Sequence, residues 1–217
     1  MQEILVLGDS HSPIFNHPLF KETFPDLHFN VVTVIGATAS GLENPNSKTM
    51  AYPIFRAALK KTAAKQIITM LGEVDTGFVI WYRAQKYQES VAAMMDKAIS
   101  SYARFLVEIN GGFDVICISA PLPTIQDGND WGDIANARRE VTASQAERTA
   151  LTLEFNRTMQ SFCQQNGIRY LMLDAISLGE HSIVKADLLN ADSNDHHYDP
   201  HQYSRLLVGG LTGLLSR

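Results

Sequence analysis

Five short aliphatic runs alternate with longer stretches of helical period, and this alternation constrains the fold more than any other feature. Ile4–Leu7, Phe29–Ile35, Gln66–Leu71, Asp114–Ser119 and Arg169–Leu173 are rich in β-branched and aliphatic residues. Such runs, without regular polar alternation, suit strands that are buried on both faces. Between them, residues 48–65 place Ile54, Phe55, Ala58 and Leu59 on one helical face. Further on, Val91, Met95, Ala98, Tyr102, Phe105 and Ile109 repeat the pattern up to Gly111-Gly112. Ser144 and Glu147 have the spacing of a capping box ahead of Leu151, Phe155, Met159 and Phe162, and Asn166-Gly167 is a stop signal. A last helix is expected from Asp199-Pro200, an N-cap followed by proline, with Tyr203, Leu206, Leu207, Leu211 and Leu214 turned inward. The pattern predicts an α/β chain: a three-layer α/β/α domain with a central five-stranded parallel sheet of flavodoxin-like topology.

The 217 residues contain no internal repeat, low-complexity tract or linker, so 1–217 reads as a single domain. The segment Pro121–Val141 has little periodicity and carries Pro121, Pro123, Gly128, Asn129, Asp130 and Gly132. It reads as a long loop over the edge of the sheet, and loops of that length are often functional. A net charge of −5 argues against nucleic acid as a partner, because phosphate binding requires a basic surface. No run approaches the ~18–20 apolar residues of a membrane span. Met1-Gln2-Glu3 leads straight into the first aliphatic run, without the basic start and small-residue cleavage site of a secretory signal, so a cytoplasmic location is expected. The two cysteines, Cys117 and Cys163, lie within apolar runs and read as buried thiols rather than a disulfide or zinc set.

In an open parallel sheet, ligands bind beyond the carboxyl ends of the strands. The residues that follow the first four runs are therefore the place to look for chemistry. They are Gly8-Asp9-Ser10-His11, Gly36-Ala37-Thr38-Ala39-Ser40-Gly41, Gly72-Glu73-Val74-Asp75 and Ala120-Pro121-Leu122-Pro123. Glycine in three of these turns lets backbone amides approach a ligand closely. Ser10, Gly36, Gly72 and Asp75 are thereby expected along one edge.

These turns, with the ending His197-Tyr198-Asp199-Pro200-His201-Gln202-Tyr203, resemble the conserved blocks of the SGNH/GDSL hydrolases from the first strand to the last helix. Gly8-Asp9-Ser10 matches the first block, and Gly36 the glycine that lends an oxyanion-hole amide. The stretch Gly36 to Leu42, then Asn44-Pro45-Asn46-Ser47-Lys48-Thr49, and Gly72-Glu73-Val74-Asp75, are similar to a bacterial branch tied to carbohydrate or envelope-polysaccharide metabolism. The resemblance implies a cofactor-free serine hydrolase acting on an ester, such as the O-acetyl or short-acyl ester of a carbohydrate. Ser10 would be the nucleophile, His197 its base, and the amides of Ser10 and Gly36 the oxyanion hole. Two departures stand out. Val74 occupies the place of the family's oxyanion asparagine, leaving Asn44 or Asn46 as replacements. Asn194 stands where the family has its aspartate, so Asp195 is the expected acid and Asp192 a poorer one.

Plainer readings accompany each residue. Ser10 could cap a following helix, and Asp9 is expected to hold its turn through backbone bonds. His11 would line the pocket or sit exposed on the turn. Glu73 and Asp75 would serve the pocket or bond backbone amides, and Asp199 is better explained as a helix cap. The cluster Asp195-His196-His197-Asp199-His201 invites a metal reading, but the spacing is crowded and Pro200 starts a helix that turns His201 aside, so no metal is assigned. Trp81, Tyr82, Arg83 and Tyr87 would form a sugar-stacking wall or pack in the core. A carbohydrate-binding domain without catalysis, and an acyltransferase using the same Ser–His pair, are the competing functions.

Overall fold

The computed structural model of the chain describes residues 1–127 and 141–215. Five parallel strands, β1 (Gln2–Gly8), β2 (Leu27–Thr33), β3 (Gln66–Met70), β4 (Asp114–Ile118) and β5 (Arg169–Leu171), form one sheet in the order β2-β1-β3-β4-β5. That is the doubly wound order, in which the chain crosses to the other face after its first two strands. Alternate residues of the central strands feed two separate cores. Leu5, Leu7, Ile67, Val115 and Cys117 pack on one side, and Ile4, Val6, Ile68, Met70, Ile116 and Ile118 on the other. Residues on successive positions of a strand point to opposite faces, and here both faces are covered, so neither set can be polar.

The first core is closed by α2 (Ala51–Lys61), α3 (Ile80–Tyr87), α4 (Val91–Asn110) and α5 (Gln145–Gln165). The second lies under α7 (Pro200–Leu215) and the segment running from Ser12 through α1 (Pro18–Thr23), with Phe15, Phe20, Tyr203, Leu207 and Leu211 inserted. A single turn, α6 (Asp174–Ser177), follows β5. The helix ends obey local rules. Ser144 accepts the Glu147 N–H while the Glu147 carboxylate accepts the Ser144 N–H, which completes the expected capping box of α5. Asp199 Oδ1 accepts the Gln202 N–H at 2.9 Å, capping α7 ahead of Pro200. Replacing Ser144 by alanine should lower stability by about 1 kcal/mol. A urea midpoint unchanged from wild type would contradict that role.

The structure departs from the sequence reading at three places. Pairing in β2 ends at Thr33, and Ile35 at the end of the aliphatic run is 79% exposed. The helix expected over 48–65 begins only at Ala51, after Met50 in a left-handed conformation. After the third strand the chain makes a wide turn, Asp75–Val79, that leads into α3. The wide turn adds a residue and shifts the phase of the apolar positions, which conceals the helix from a simple periodicity. Within α3, Trp81 packs partly against the first core and donates its indole N–H to the Thr76 carbonyl, while Arg83 donates to Ser40 Oγ.

Of the expected Pro121–Val141 loop, residues 128–140 lie outside the described residues, and so does any lid there. Residues Pro121 to Ile125 are buried and tied down: Arg148 donates to the Ile125 carbonyl and Gln145 Nε2 to that of Pro123.

Candidate active site

β1 delivers Gly8 and Asp9 to the carboxyl edge of the sheet, and the chain turns there. The Asp9 carboxylate, 1% exposed, accepts both the backbone N–H of His11 and its ring Nδ1, at 2.9 and 3.0 Å. Ser12 donates its hydroxyl to the Asp9 carbonyl. The turn is therefore held by Asp9 and Ser12, and the hydroxyl of Ser10 is not needed as a helix cap. It faces an imidazole from the far end of the chain: Ser10 Oγ lies 3.0 Å from His197 Nε2.

The second half of the site repeats the same local device. Asp195 Oδ1 accepts the backbone N–H of His197 at 2.9 Å and meets its ring Nδ1 at 2.6 Å. An aspartate two residues ahead of a histidine thus fixes both backbone and ring, on each side of Ser10. The His11 and His197 rings touch edge to face, with centroids 4.6 Å apart. Asn190 donates to Asp195 Oδ2 at 3.1 Å, a partner the sequence reading missed. Partial burial pushes the Asp195 carboxyl up, but the two His197 N–H groups and the nearby imidazoles outweigh it. The carboxyl stays below the ordinary carboxylate range. Asp192 is exposed and instead accepts from Asn194, so it caps the preceding turn.

The turn carrying His197 is braced by the segment that follows β4. The Leu122 N–H donates to Tyr198 Oη at 2.7 Å, and Thr124 Oγ1 donates to the His196 carbonyl. Asn156, buried in α5, accepts the Ala120 N–H and donates to the Ala120 carbonyl and to Asp174. The segment after β4 is thus tied both to α5 and to the turn that carries His197.

A cavity of about 390 Å³ opens at Ser10 and is lined by His11, Ile14, His17, His197 and Tyr203 among others. That volume suits a small organic group. His11 is buried at this wall rather than exposed on the turn. His17, Ile14 and Tyr203 carry no sequence signal for a pocket. Their contribution depends on how the Ser12–Asn16 turn meets α7.

The remaining expected residues fall elsewhere. Asn44 and Asn46 do not line this cavity. Asn44 accepts the Asn46 N–H and faces a second, larger cavity of about 650 Å³ between residues 41–53 and α4. Gly72, Glu73 and Asp75 are buried and do not line the Ser10 cavity either. At Gly72 the constraint is steric as well as conformational. Its φ is +125°, and a Cβ there would stand 2.6 Å from Phe155 Cε1, so only glycine fits the turn after β3. The Val74 side chain has no polar atom to offer.

Asp75 works from inside. Fully buried, it accepts the Ala39 N–H at 2.6 Å and the Ser40 N–H at 3.1 Å, pinning the loop that follows Gly36. Burial pushes its pKa up to about 6, against the lowering effect of those bonds and of Arg83. Asp75→Ala should cost about 3 kcal/mol, since two amide donors lose their acceptor. A folded pKa above the unfolded one means that folding takes up a proton between pH about 4 and 6, so this group's contribution falls as pH rises through that window. The wild type should therefore gain urea resistance over Asp75→Ala on going from pH 7 to pH 5. A constant difference would show that Asp75 does not titrate there.

Gly36 itself has φ +71°, a left-handed conformation that glycine adopts without strain. Among the described residues neither its N–H nor that of Ser10 has a hydrogen-bond acceptor.

Sheet order, layering and this edge site together define the chain as having the fold of the SGNH hydrolases. The solved structures it is similar to include a carbohydrate acetylesterase family member from Sinorhizobium meliloti, with a TM-score of 0.65 at 12% identity, over 99% of this chain and 97% of that one. The aryl esterase of M. smegmatis gives a TM-score of 0.65 at 11% identity, over 100% and 99% of the two chains. A GDSL-like lipase from Bacteroides thetaiotaomicron gives 0.59 at 13% identity, over 99% and 87%. Neither a protein-family model nor a curated protein sequence matches the chain.

Proposed function

We propose that the chain is a serine esterase in which Ser10 attacks an ester carbonyl. His197 takes the hydroxyl proton through Nε2, and Asp195 holds the ring tautomer through Nδ1. The observation that carries this reading is the unbroken relay Asp195–His197–Ser10, at 2.6 and 3.0 Å, between side chains 187 residues apart. A hydroxyl is a poor nucleophile until a base removes its proton, and a carboxylate behind the imidazole stabilises the imidazolium that results. The tetrahedral oxyanion would be met by the N–H groups of Ser10 and Gly36. With Val74 in the third position, the hole has two donors, and one missing donor lowers the rate by ~10²–10³-fold. The imidazolium then protonates the leaving alkoxide, and water repeats the sequence on the acyl-enzyme.

The substrate class proposed is an O-acetyl or other short-acyl ester of a carbohydrate. The small cavity at Ser10 fits a short acyl group, and the acetylesterase among the similar structures points the same way. The test is labelling with a fluorophosphonate, followed by mass analysis of the modified peptide, together with turnover of an aryl acetate and a panel of acetylated sugars. The expected result is one adduct, on Ser10, and acetate release. A wild-type protein that is neither labelled nor active would point to a non-catalytic carbohydrate-binding domain. Acyl transfer to an added sugar in preference to water would mark an acyltransferase.

A further inference from the structure

The metal reading of the histidine-rich ending takes a definite form in the structure. Asp199 is spent capping α7, and His201 turns away to lie beside His17, with ring centroids 6.0 Å apart. What remains together is Asp195, His196 and His197, each with one ligand atom within 4.8 Å of the others. The two imidazoles are 4.2 Å apart and inclined by 35°, and all three residues are half-buried, so a hydrated ion can reach them. Two imidazoles and a carboxylate are the donor set that borderline divalent ions of the zinc class select. Tetrahedral zinc needs its ligand atoms about 3.4 Å apart, from bonds of about 2.0–2.2 Å, so side-chain rotations of roughly an ångström close the set, with water in the fourth position.

We propose that Asp195, His196 and His197 form an inhibitory zinc site laid over the esterase machinery, an inference that rests on the esterase reading for its effect but not for the binding. Both ring nitrogens of His197 are already committed, Nδ1 to Asp195 and Nε2 to Ser10. Coordination through Nε2 removes the acceptor for the Ser10 proton. Coordination through Nδ1 replaces the Asp195 bond with the metal and moves the ring proton to Nε2, which then cannot accept the Ser10 proton. Either way the base is lost, so bound zinc and ester cleavage exclude each other. His196 supplies the affinity without taking part in the relay.

Zinc chloride titrated calorimetrically into tag-free, chelator-treated protein tests the site, alongside aryl acetate turnover with and without EDTA. The wild type should bind one zinc at a site that saturates below about 1 mM and lose its activity in parallel. His196→Gln should weaken binding at least about tenfold and keep its EDTA-state activity within about twofold. Ser10→Ala should bind zinc as the wild type does, and His201→Gln should do so too. The proposal falls if the wild type shows no saturable binding, if His201→Gln rather than His196→Gln abolishes it, or if hydrolysis continues at zinc saturation. A protein that binds zinc through His196 yet cleaves no ester sustains the metal site and overturns the esterase reading instead.

Discussion

Ser10→Ala should reduce kcat for an aryl acetate by about 10⁵-fold while leaving the folding midpoint within about 1 kcal/mol of wild type. The two halves of that statement have separate causes. The turn is held by the Asp9 carboxylate and the Ser12 hydroxyl, neither of which needs the Ser10 side chain. The only side-chain bond that Ser10 makes among the described residues is the one to His197 Nε2. Removing the hydroxyl therefore takes away the proposed nucleophile and leaves the scaffold standing. Groups that act as a unit give non-additive losses, so His197→Ala added to Ser10→Ala should lower the residual rate no further. Retention of more than about a tenth of the wild-type rate by Ser10→Ala would remove Ser10 from the chemistry.

Asp195→Asn is the second large effect, expected at ~10³–10⁴-fold in kcat with KM close to wild type. The amide is nearly the shape of the carboxylate, and its oxygen can still accept the His197 backbone N–H. It carries no charge, however, and so no longer stabilises an imidazolium 2.6 Å away. Its NH₂ would also face Asn190 Nδ2, which now donates to Oδ2, so two donors would oppose each other. Asn190→Ala should produce a milder version of the same defect, because the carboxylate keeps both bonds to His197. An Asp195→Asn enzyme as fast as wild type would mean that some other group orients the ring.

The sheet was legible because burial on both faces forces strands to be continuously aliphatic, and β1, β3 and β4 have no other way to be read. The nearness of Ser10 to His197 was legible through the resemblance of Gly8-Asp9-Ser10 and the His197–Tyr203 ending to the SGNH/GDSL blocks. The carboxyl end of β1 lies inside the sheet, between β2 and β3, and the Asp199-Pro200 signal sets where the last helix begins. Asp75 was harder to place. A carboxylate at a strand end looks the same in sequence whether it faces solvent or accepts two buried amides, and only the path of the loop at Ala39 and Ser40 decides. Asn44 and Asn46 were chosen for their chemistry, but the loop that carries them folds toward α4 and away from Ser10. The pocket wall of Ile14, His17 and Tyr203 had no signal at all, since it arises where two elements distant in sequence meet.

One consequence concerns the order in which the chain is made. Ser10 is synthesised before four of the five strands, whereas Asp195 and His197 follow all five, and α7 must then dock on the second core to seat them. On the esterase reading, a growing chain thus carries the Ser10 hydroxyl with no base beside it until residue 197 has been added, inert toward any ester it meets. Reactivity would switch on only when the final helix has packed, which makes hydrolysis itself a reporter of completed folding.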